Sequence, residues 1–309
     1  MKTSFIVIAY NEEKNIKQCI HSIQRQDYLT DYEIIVINDA STDKTQNKVL
    51  EIKNSNAIKL LNLEKNSGRG KARLEGIKIA KGEYIAFVDA DIILPEDWFQ
   101  ICKKYLGSYD GVGGIAIPDG DVVYIFNKCK LKARIKKHTT ELTGNNCIFQ
   151  RQVFDSIKID EDLTEGEDVD LVWRMKKVGF QVKSISDLVV KHNESKSYIR
   201  SLKWLFQSGI GATKLLFKFN KIRIPDLTFF LFVMAAAISF PLYIQFKSIL
   251  FLSIPILFVF LTSAFHIYSK FNIKISNLYS FIWAILLNFP LMFVYFLGRI
   301  TGLFLYKKS

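Results

Sequence analysis

The chain has 309 residues and a formal net charge of +12, with 14% aromatic residues, so its length allows one sizeable globular domain and something more. The basic charge is unevenly placed: no Asp or Glu follows Asp226, while Lys247, Lys270, Lys274, Arg299, Lys307 and Lys308 punctuate long apolar runs, which points to anionic headgroups and away from nucleic acid. Cys19, Cys102, Cys129 and Cys147 form no C-x-x-C pair and no Cys/His cluster, which argues against a zinc site or a disulfide framework.

Residues 1 to about 110 alternate short apolar runs with helix-period segments. Ser4–Ala9 reads as a buried strand, too short for a signal-peptide core and followed at once by Asn11-Glu12-Glu13, so the N-terminal part is expected in the cytoplasm. Ile16, Cys19, Ile20 and Ile23 mark an amphipathic helix. Glu33–Asn38 is a second strand, and Ser41 or Thr42 is placed to cap the next helix. Ile58–Leu63, a helix over Lys71–Ala80, and a strand over Tyr84–Val88 complete an alternation that implies right-handed crossovers and a mainly parallel α/β sheet.

Across residues 111–165, Gly111, Gly113, Gly114, Pro118 and Gly120 break the pattern, and short strands and loops are expected there. Val169, Val172 and Trp173 define a helix that closes near Gly179; Gln181–Ile185 and Leu188–Val190 read as two short strands. Residues 198–225 combine an apolar face with Arg200, Lys203, Lys214, Lys218, Lys221 and Arg223, as interfacial helices do, although ordinary surface helices fit equally well. Three later segments, Leu227–Phe246, Ser248–Tyr268 and Tyr279–Gly298, are long enough to cross a bilayer. Residues 1–197, 198–225 and 226–309 are therefore expected to form a catalytic domain, an interfacial segment and a membrane region.

Five segments carry chemistry. Ala9-Tyr10-Asn11-Glu12 ends strand one, where backbone and Tyr10 can meet a nucleotide base, or Asn11 can simply cap a helix. Asp39, in Asn38-Asp39-Ala40-Ser41-Thr42-Asp43, can accept hydrogen bonds from a base or ribose, or close an Asx turn. Asn66-Ser67-Gly68-Arg69-Gly70-Lys71 opens a helix where backbone can approach a diphosphate, with Arg69 or Lys71 offsetting its charge. Asp89-Ala90-Asp91 ends an apolar strand; strand alternation would aim both carboxylates to one side, and a hard divalent ion would relieve their repulsion. Last, Gly166-Glu167-Asp168 starts the late helix and leaves Glu167 or Asp168 free to take a proton from an attacking hydroxyl.

In this order and spacing, the set resembles the family 2 inverting glycosyltransferases over about residues 3–212. The family's PAYNE segment is similar to Ile8–Glu12, its DDGSTD to Asn38–Asp43 with Asn38 and Ala40 substituted, and its ED motif to Glu167-Asp168. The resemblance implies a GT-A fold and a nucleotide-sugar donor contacted by Ala9, Tyr10, Glu12, Asp39, Arg69, Lys71 and Asp89. It further implies Mn²⁺ or Mg²⁺ on Asp91, helped by Asp89, and an acceptor-side loop of Gly144, Asn145 and Asn146. Asp168, with Glu167 as second choice, would be the base for a single inverting displacement.

Addition of one sugar to a lipid-linked glycan or a surface polymer is expected, by a multi-pass membrane protein with its catalytic domain in the cytoplasm. The alternatives are a polyprenyl-phosphate sugar synthase, a nucleotidyltransferase or a non-catalytic membrane protein. An ionised phosphate acceptor needs no base, and a nucleotidyltransferase would carry a glycine-rich loop where Tyr10-Asn11-Glu12 stands. The expected spans hold almost no ionisable group besides His266, whereas transport paths need some. His192, after the last strand, could sit near the diphosphate, although a surface histidine at a strand end is the preferred reading.

Overall fold

A computed structural model describes residues 2–27, 30–52, 57–118, 142–193, 198–270 and 278–306. They form two compact units, one of the described residues up to 193 and one from 198 onward. Gly120, Lys274, Lys307 and Lys308 lie outside the described residues.

The first unit is built on one eight-stranded sheet of β1 (Thr3–Ala9), β2 (Tyr32–Asn38), β3 (Ile58–Asn62), β4 (Tyr84–Asp89), β5 (Ile92–Ile93), β6 (Gly111–Pro118), β7 (Asn146–Gln150) and β8 (Val182–His192). Their spatial order is β3-β2-β1-β4-β7-β6-β8-β5. The first four are parallel, β7 is antiparallel to both neighbours, and β8 runs parallel to β6. The flanking helices are α1 (Ile16–Gln24), α2 (Thr45–Ile52), α3 (Gly68–Ile79), α4 (Trp98–Leu106), α5 (Gln152–Ser156) and α6 (Glu167–Lys177).

All of β1 is buried, as expected of a parallel strand covered on both faces. Phe5 and Val7 pack with α1 and α4; Ile6 and Ile8 pack with α3, α5 and α6. Each such fully buried side chain contributes about 1.5–3 kcal/mol. The chain reverses its winding between β1 and β4, and open α/β sheets bind ligands outside the carboxyl ends of strands at such a point.

Three local expectations change. Helix α2 starts late, at Thr45, whose amide is held by Asp43 at 2.9 Å and not by Ser41 or Thr42. Helix α1 has Asn15 and not Asn11 at its cap position. The two expected strands after residue 180 are one, β8, whose pairing with β6 shifts register between Gly113 and Ile115.

The second unit contains α7 (Tyr198–Phe219), α8 (Ile224–Phe246), a 3₁₀ turn (Ile249–Leu252), α9 (Ser253–Lys270) and α10 (Leu278–Leu305). Three of its helical stretches, Ile224–Phe246, Ile249–Tyr268 and Phe281–Leu305, are long and apolar enough to cross a membrane. The tight turn after α8 is made by Lys247 in a left-handed conformation. Residues 198–219 are one helix and not a pair, and it runs parallel to α10 along most of its length. Tyr198 donates to the Leu287 carbonyl at 2.8 Å, Thr213 to the Arg299 carbonyl at 3.0 Å, and Phe217 stacks on Tyr306. Glycine makes that approach feasible, because a Cβ on Gly298 would stand 2.1 Å from the Phe206 carbonyl oxygen and one on Gly209 2.3 Å from that of Tyr295. Helices α8 and α10 extend one residue or more past the expected spans and so take in Asp226 and Arg299; Arg299 donates to Asp226 at 2.6 Å, both fully buried.

Candidate active site

The carboxyl ends of β1, β2 and β4 bring the first motifs together. Ala9 is buried and its carbonyl accepts the Asp39 amide at 2.9 Å, while Tyr10 is 48% exposed. Asn11 bolts this loop to the next one, its Oδ1 accepting the Thr42 amide at 2.7 Å and the Asp43 amide at 3.3 Å. The Glu12 amide donates to the Thr45 hydroxyl at 2.7 Å, and its carboxylate accepts from Asn15 at 2.8 Å. Glu12 thus holds the entry to α1 and α2.

Asp39 is buried, and its two oxygens accept the amides of Ser67 at 2.8 Å and Gly68 at 3.0 Å, so it ties β2 to the start of α3. Burial raises its carboxyl above the ordinary range, against the pull of those two amides.

Helix α3 then presents Arg69 and Arg73, one turn apart on one face. Lys71, expected at a diphosphate, lies round the helix from them and pairs with Glu161 and Glu75. Arg73 is 2% exposed and is the centre of the site. Its Nη2 donates to Asp89 Oδ1 at 2.9 Å and to the Gly144 carbonyl at 2.8 Å, its Nη1 donates to Glu167, and its guanidinium lies 5.3 Å from the Phe87 ring centre. Arg69 donates to Glu165 at 3.0 Å and stands 4.0 Å from Asp89. Surrounding carboxylates raise both arginines further, outweighing the burial that opposes them.

The acidic pair Asp89/Asp91 is divided. Strand β4 ends at Asp89, and Ala90-Asp91 is a turn, so side-chain alternation does not extend to Asp91. Asp89 faces the arginines; Asp91 Oδ2 lies 3.0 Å from His192 Nε2. Asp91 Oδ1 is buried with no hydrogen-bond partner among the described residues. An orphaned hard oxygen beside an imidazole fits a divalent cation. Among the described residues no three His, Cys, Asp or Glu side chains enclose such an ion, so water and substrate phosphates would complete the coordination, as is usual for Mg²⁺. His192 is thereby drawn into the site; its signal was the pairing of strand β8 with the residues just after Asp91.

Helix α6 supplies the last pair. Glu167 is 2% exposed and bonded to Arg73; burial pushes its carboxyl up to about 7, against the pull of Arg73. Asp168 accepts the Gly144 amide at 3.0 Å and the Val169 amide at 2.8 Å, and each oxygen keeps a further lone pair. Gly144 links the two groups, with its carbonyl on Arg73 and its amide on Asp168. A small hollow is lined by Arg73, Phe87, Thr143, Gly144, Glu167 and Asp168. Asn145 Oδ1 is buried and without a partner among the described residues. Asn146 is fully buried, accepting from Trp98 Nε1 at 2.6 Å and donating to the Leu188 carbonyl at 3.3 Å, so it secures β7 instead of facing an acceptor. Arg73 and Glu165 were missed in the sequence; the spacing of Arg69 and Arg73 was the available signal.

Residues 4–157 match the family model described as glycosyl transferase family 2. Over 129 residues the chain is 34% identical to the poly(ribitol-phosphate) beta-N-acetylglucosaminyltransferase TarS of Staphylococcus aureus, a match covering 38% of this chain and 22% of that protein. The chain thus spans about a fifth of the length of that relative. It is also 26% identical over 219 residues to the glycosyltransferase AglE of Haloferax volcanii, covering 67% of this chain and 72% of AglE. Its fold is similar to that of the mannosyltransferase PcManGT from Pyrobaculum calidifontis, solved with GDP-Man and Mn²⁺ (TM-score 0.54, 21% identity, 68% of this chain and 61% of that one). It is similar too to S. aureus TarS 1–349 solved with UDP-GlcNAc (TM-score 0.52, 18% identity, 97% and 91% covered). With its mainly parallel sheet, its motif-bearing strand ends and these likenesses, the chain belongs to glycosyl transferase family 2 and has the GT-A fold.

Proposed function

We propose that this chain is a membrane-bound inverting glycosyltransferase. It moves one sugar from a nucleotide-sugar to a hydroxyl of a lipid-linked glycan or a cell-surface polysaccharide precursor. The observation that carries this reading is the division of labour at α6: Glu167 is taken up by Arg73, while Asp168, fixed by the Gly144 amide, lines the hollow with lone pairs to offer.

In this mechanism the exposed Tyr10 ring meets the nucleotide base and the Arg69 guanidinium sits toward the diphosphate. Asp39 acts indirectly, by fixing the loop of Ser67 and Gly68. Asp91 and His192 would hold Mn²⁺ or Mg²⁺, which, when bound, offsets charge on the departing diphosphate. Asp168 takes the proton of the acceptor hydroxyl as that oxygen attacks the anomeric carbon from the face opposite the leaving group, so configuration inverts. A lipid phosphate arrives already ionised, and for it a base so placed would be idle. The apolar helices anchor the protein in the cell membrane as a multi-pass region, with the catalytic unit on the cytoplasmic side.

The test uses the full chain in detergent with UDP-, GDP- and dTDP-sugars, Mn²⁺ and glycan acceptors. Asp168→Asn is expected to lower transfer by roughly 10²–10⁴-fold while leaving binding of the nucleotide unchanged, as the loss of a general base does. Near-normal turnover in that variant would remove Asp168 as the base.

A further inference from the structure

Each acidic motif of the site holds two carboxylates where the proposed chemistry uses one. Asp89 and Asp91 sit two residues apart, and Glu167 and Asp168 are adjacent. One member of each pair ends on the same side chain: the Arg73 guanidinium bonds Asp89 at 2.9 Å through Nη2 and Glu167 through Nη1. The other members are left to different partners, Asp91 to His192 and Asp168 to the amides of Gly144 and Val169. Arg73 comes from α3, which carries neither motif, and it reaches them beneath Gly144, where a Cβ would be 2.4 Å from Nη1.

We propose that Arg73 is the positioning residue that sorts the two acidic pairs, withdrawing Asp89 from the cation and Glu167 from the acceptor so that Asp91 and Asp168 act alone. This rests on the functional reading above. The planar fork of arginine suits the task, because it addresses two carboxylates in fixed directions; a lysine ammonium is a point charge and cannot hold both in one geometry. Without Arg73, Glu167 would lose its bonded counter-charge and Asp89 would keep only Arg69, 4.0 Å away. Asp89 would then turn to any divalent ion at Asp91, and Glu167 would repel Asp168 or compete with it for the acceptor proton.

A merely structural role predicts that removing Arg73 loosens everything. Sorting predicts one gain among the losses. The experiment measures binding of Mn²⁺ alone, by the paramagnetic resonance of the free ion, to the full chain and to Arg73→Gln, Arg73→Lys and Arg73→Gln/Glu167→Gln. Arg73→Gln is expected to bind Mn²⁺ about tenfold more tightly, because a second carboxylate becomes available. Arg73→Lys should fall between it and the native protein, and it serves alone if Arg73→Gln does not fold.

Turnover should fall about a hundredfold in Arg73→Gln and recover at least about tenfold when Glu167→Gln is added, a coupling that independent sites do not show. Weaker Mn²⁺ binding in both Arg73 variants, or a double variant no faster than Arg73→Gln, would overturn the proposal. Neither result touches the base assignment, which stands or falls with Asp168→Asn.

Discussion

Gly144→Ala is the sharpest single perturbation of the site. The added Cβ would lie 2.4 Å from Arg73 Nη1, 2.7 Å from Cζ and 2.8 Å from Nη2, all closer than carbon approaches such atoms in folded proteins. The guanidinium must retreat, yet it is held by Asp89 at 2.9 Å, by the Gly144 carbonyl at 2.8 Å and by Glu167, and these bonds cannot all survive a shift of about an ångström. Charge-assisted bonds contribute roughly 1.5–3 kcal/mol each, and breaking a buried ion pair costs about 3–5 kcal/mol. We expect a loss of about 3–5 kcal/mol in the catalytic unit. At about 2–4 °C per kcal/mol for a domain of this size, that lowers its midpoint by about 10 °C.

Because the Gly144 amide also fixes Asp168, turnover should fall about a hundredfold or more even where the protein is folded. The assay is thermal unfolding followed by tryptophan fluorescence in detergent, with sugar transfer measured well below the midpoint. Gly107→Ala is the control, since nothing lies within 4 Å of a Cβ there. A Gly144→Ala protein within about 1 °C and twofold of the native one would refute the packing of Arg73 against Gly144.

Two other outcomes follow from single residues. Ala40 occupies a left-handed conformation, φ 58°, at the position where the family's DDGSTD segment has glycine. Such a backbone costs an L-residue about 1–2 kcal/mol, partly offset by the entropy that glycine brings to the unfolded chain, so Ala40→Gly should stabilise the protein by up to about 1 kcal/mol in urea unfolding; destabilisation would contradict that geometry. Glu167, pushed up from the ordinary 4.5 to about 7 by burial, binds its proton more tightly in the folded state. Its contribution to stability is therefore fully present below about pH 4.5 and is lost as pH rises through about 7. The melting midpoint should fall between about pH 4.5 and pH 7 in the native protein, level off above that, and fall less steeply in Glu167→Gln; equal slopes in the two would rule this out.

The sheet was readable because its central strands are apolar runs buried on both faces, and the motif loops were readable because they fall at strand ends. What the sequence concealed depends on where elements stop and what lies across from them. The Asp89/Asp91 pair looked co-directed only as long as β4 was taken to continue; it ends at Asp89, and the turn separates the two carboxylates. Ser186 and Asp187 looked like a break between two strands, yet β8 runs through them. Asn146 carries a polar group like its neighbour Asn145, and only the indole of Trp98, 48 residues away in sequence, makes it part of the core. Arg73 met the same obstacle, since its partners lie 16, 71 and 94 residues along the chain and no local pattern announces them. The close contact of α7 with α10 was hidden as well, because Gly209 and Gly298 lie 89 residues apart and neither announces its partner.

That contact has a geometric corollary. Two rods pressed together from Tyr198–Leu287 to Phe217–Tyr306, heading the same way, must share one inclination to any lipid layer. The basic, amphipathic α7 and the apolar α10 therefore enter, lie along or traverse a bilayer as a pair, and a topology drawn from hydropathy alone would separate what the glycines have joined.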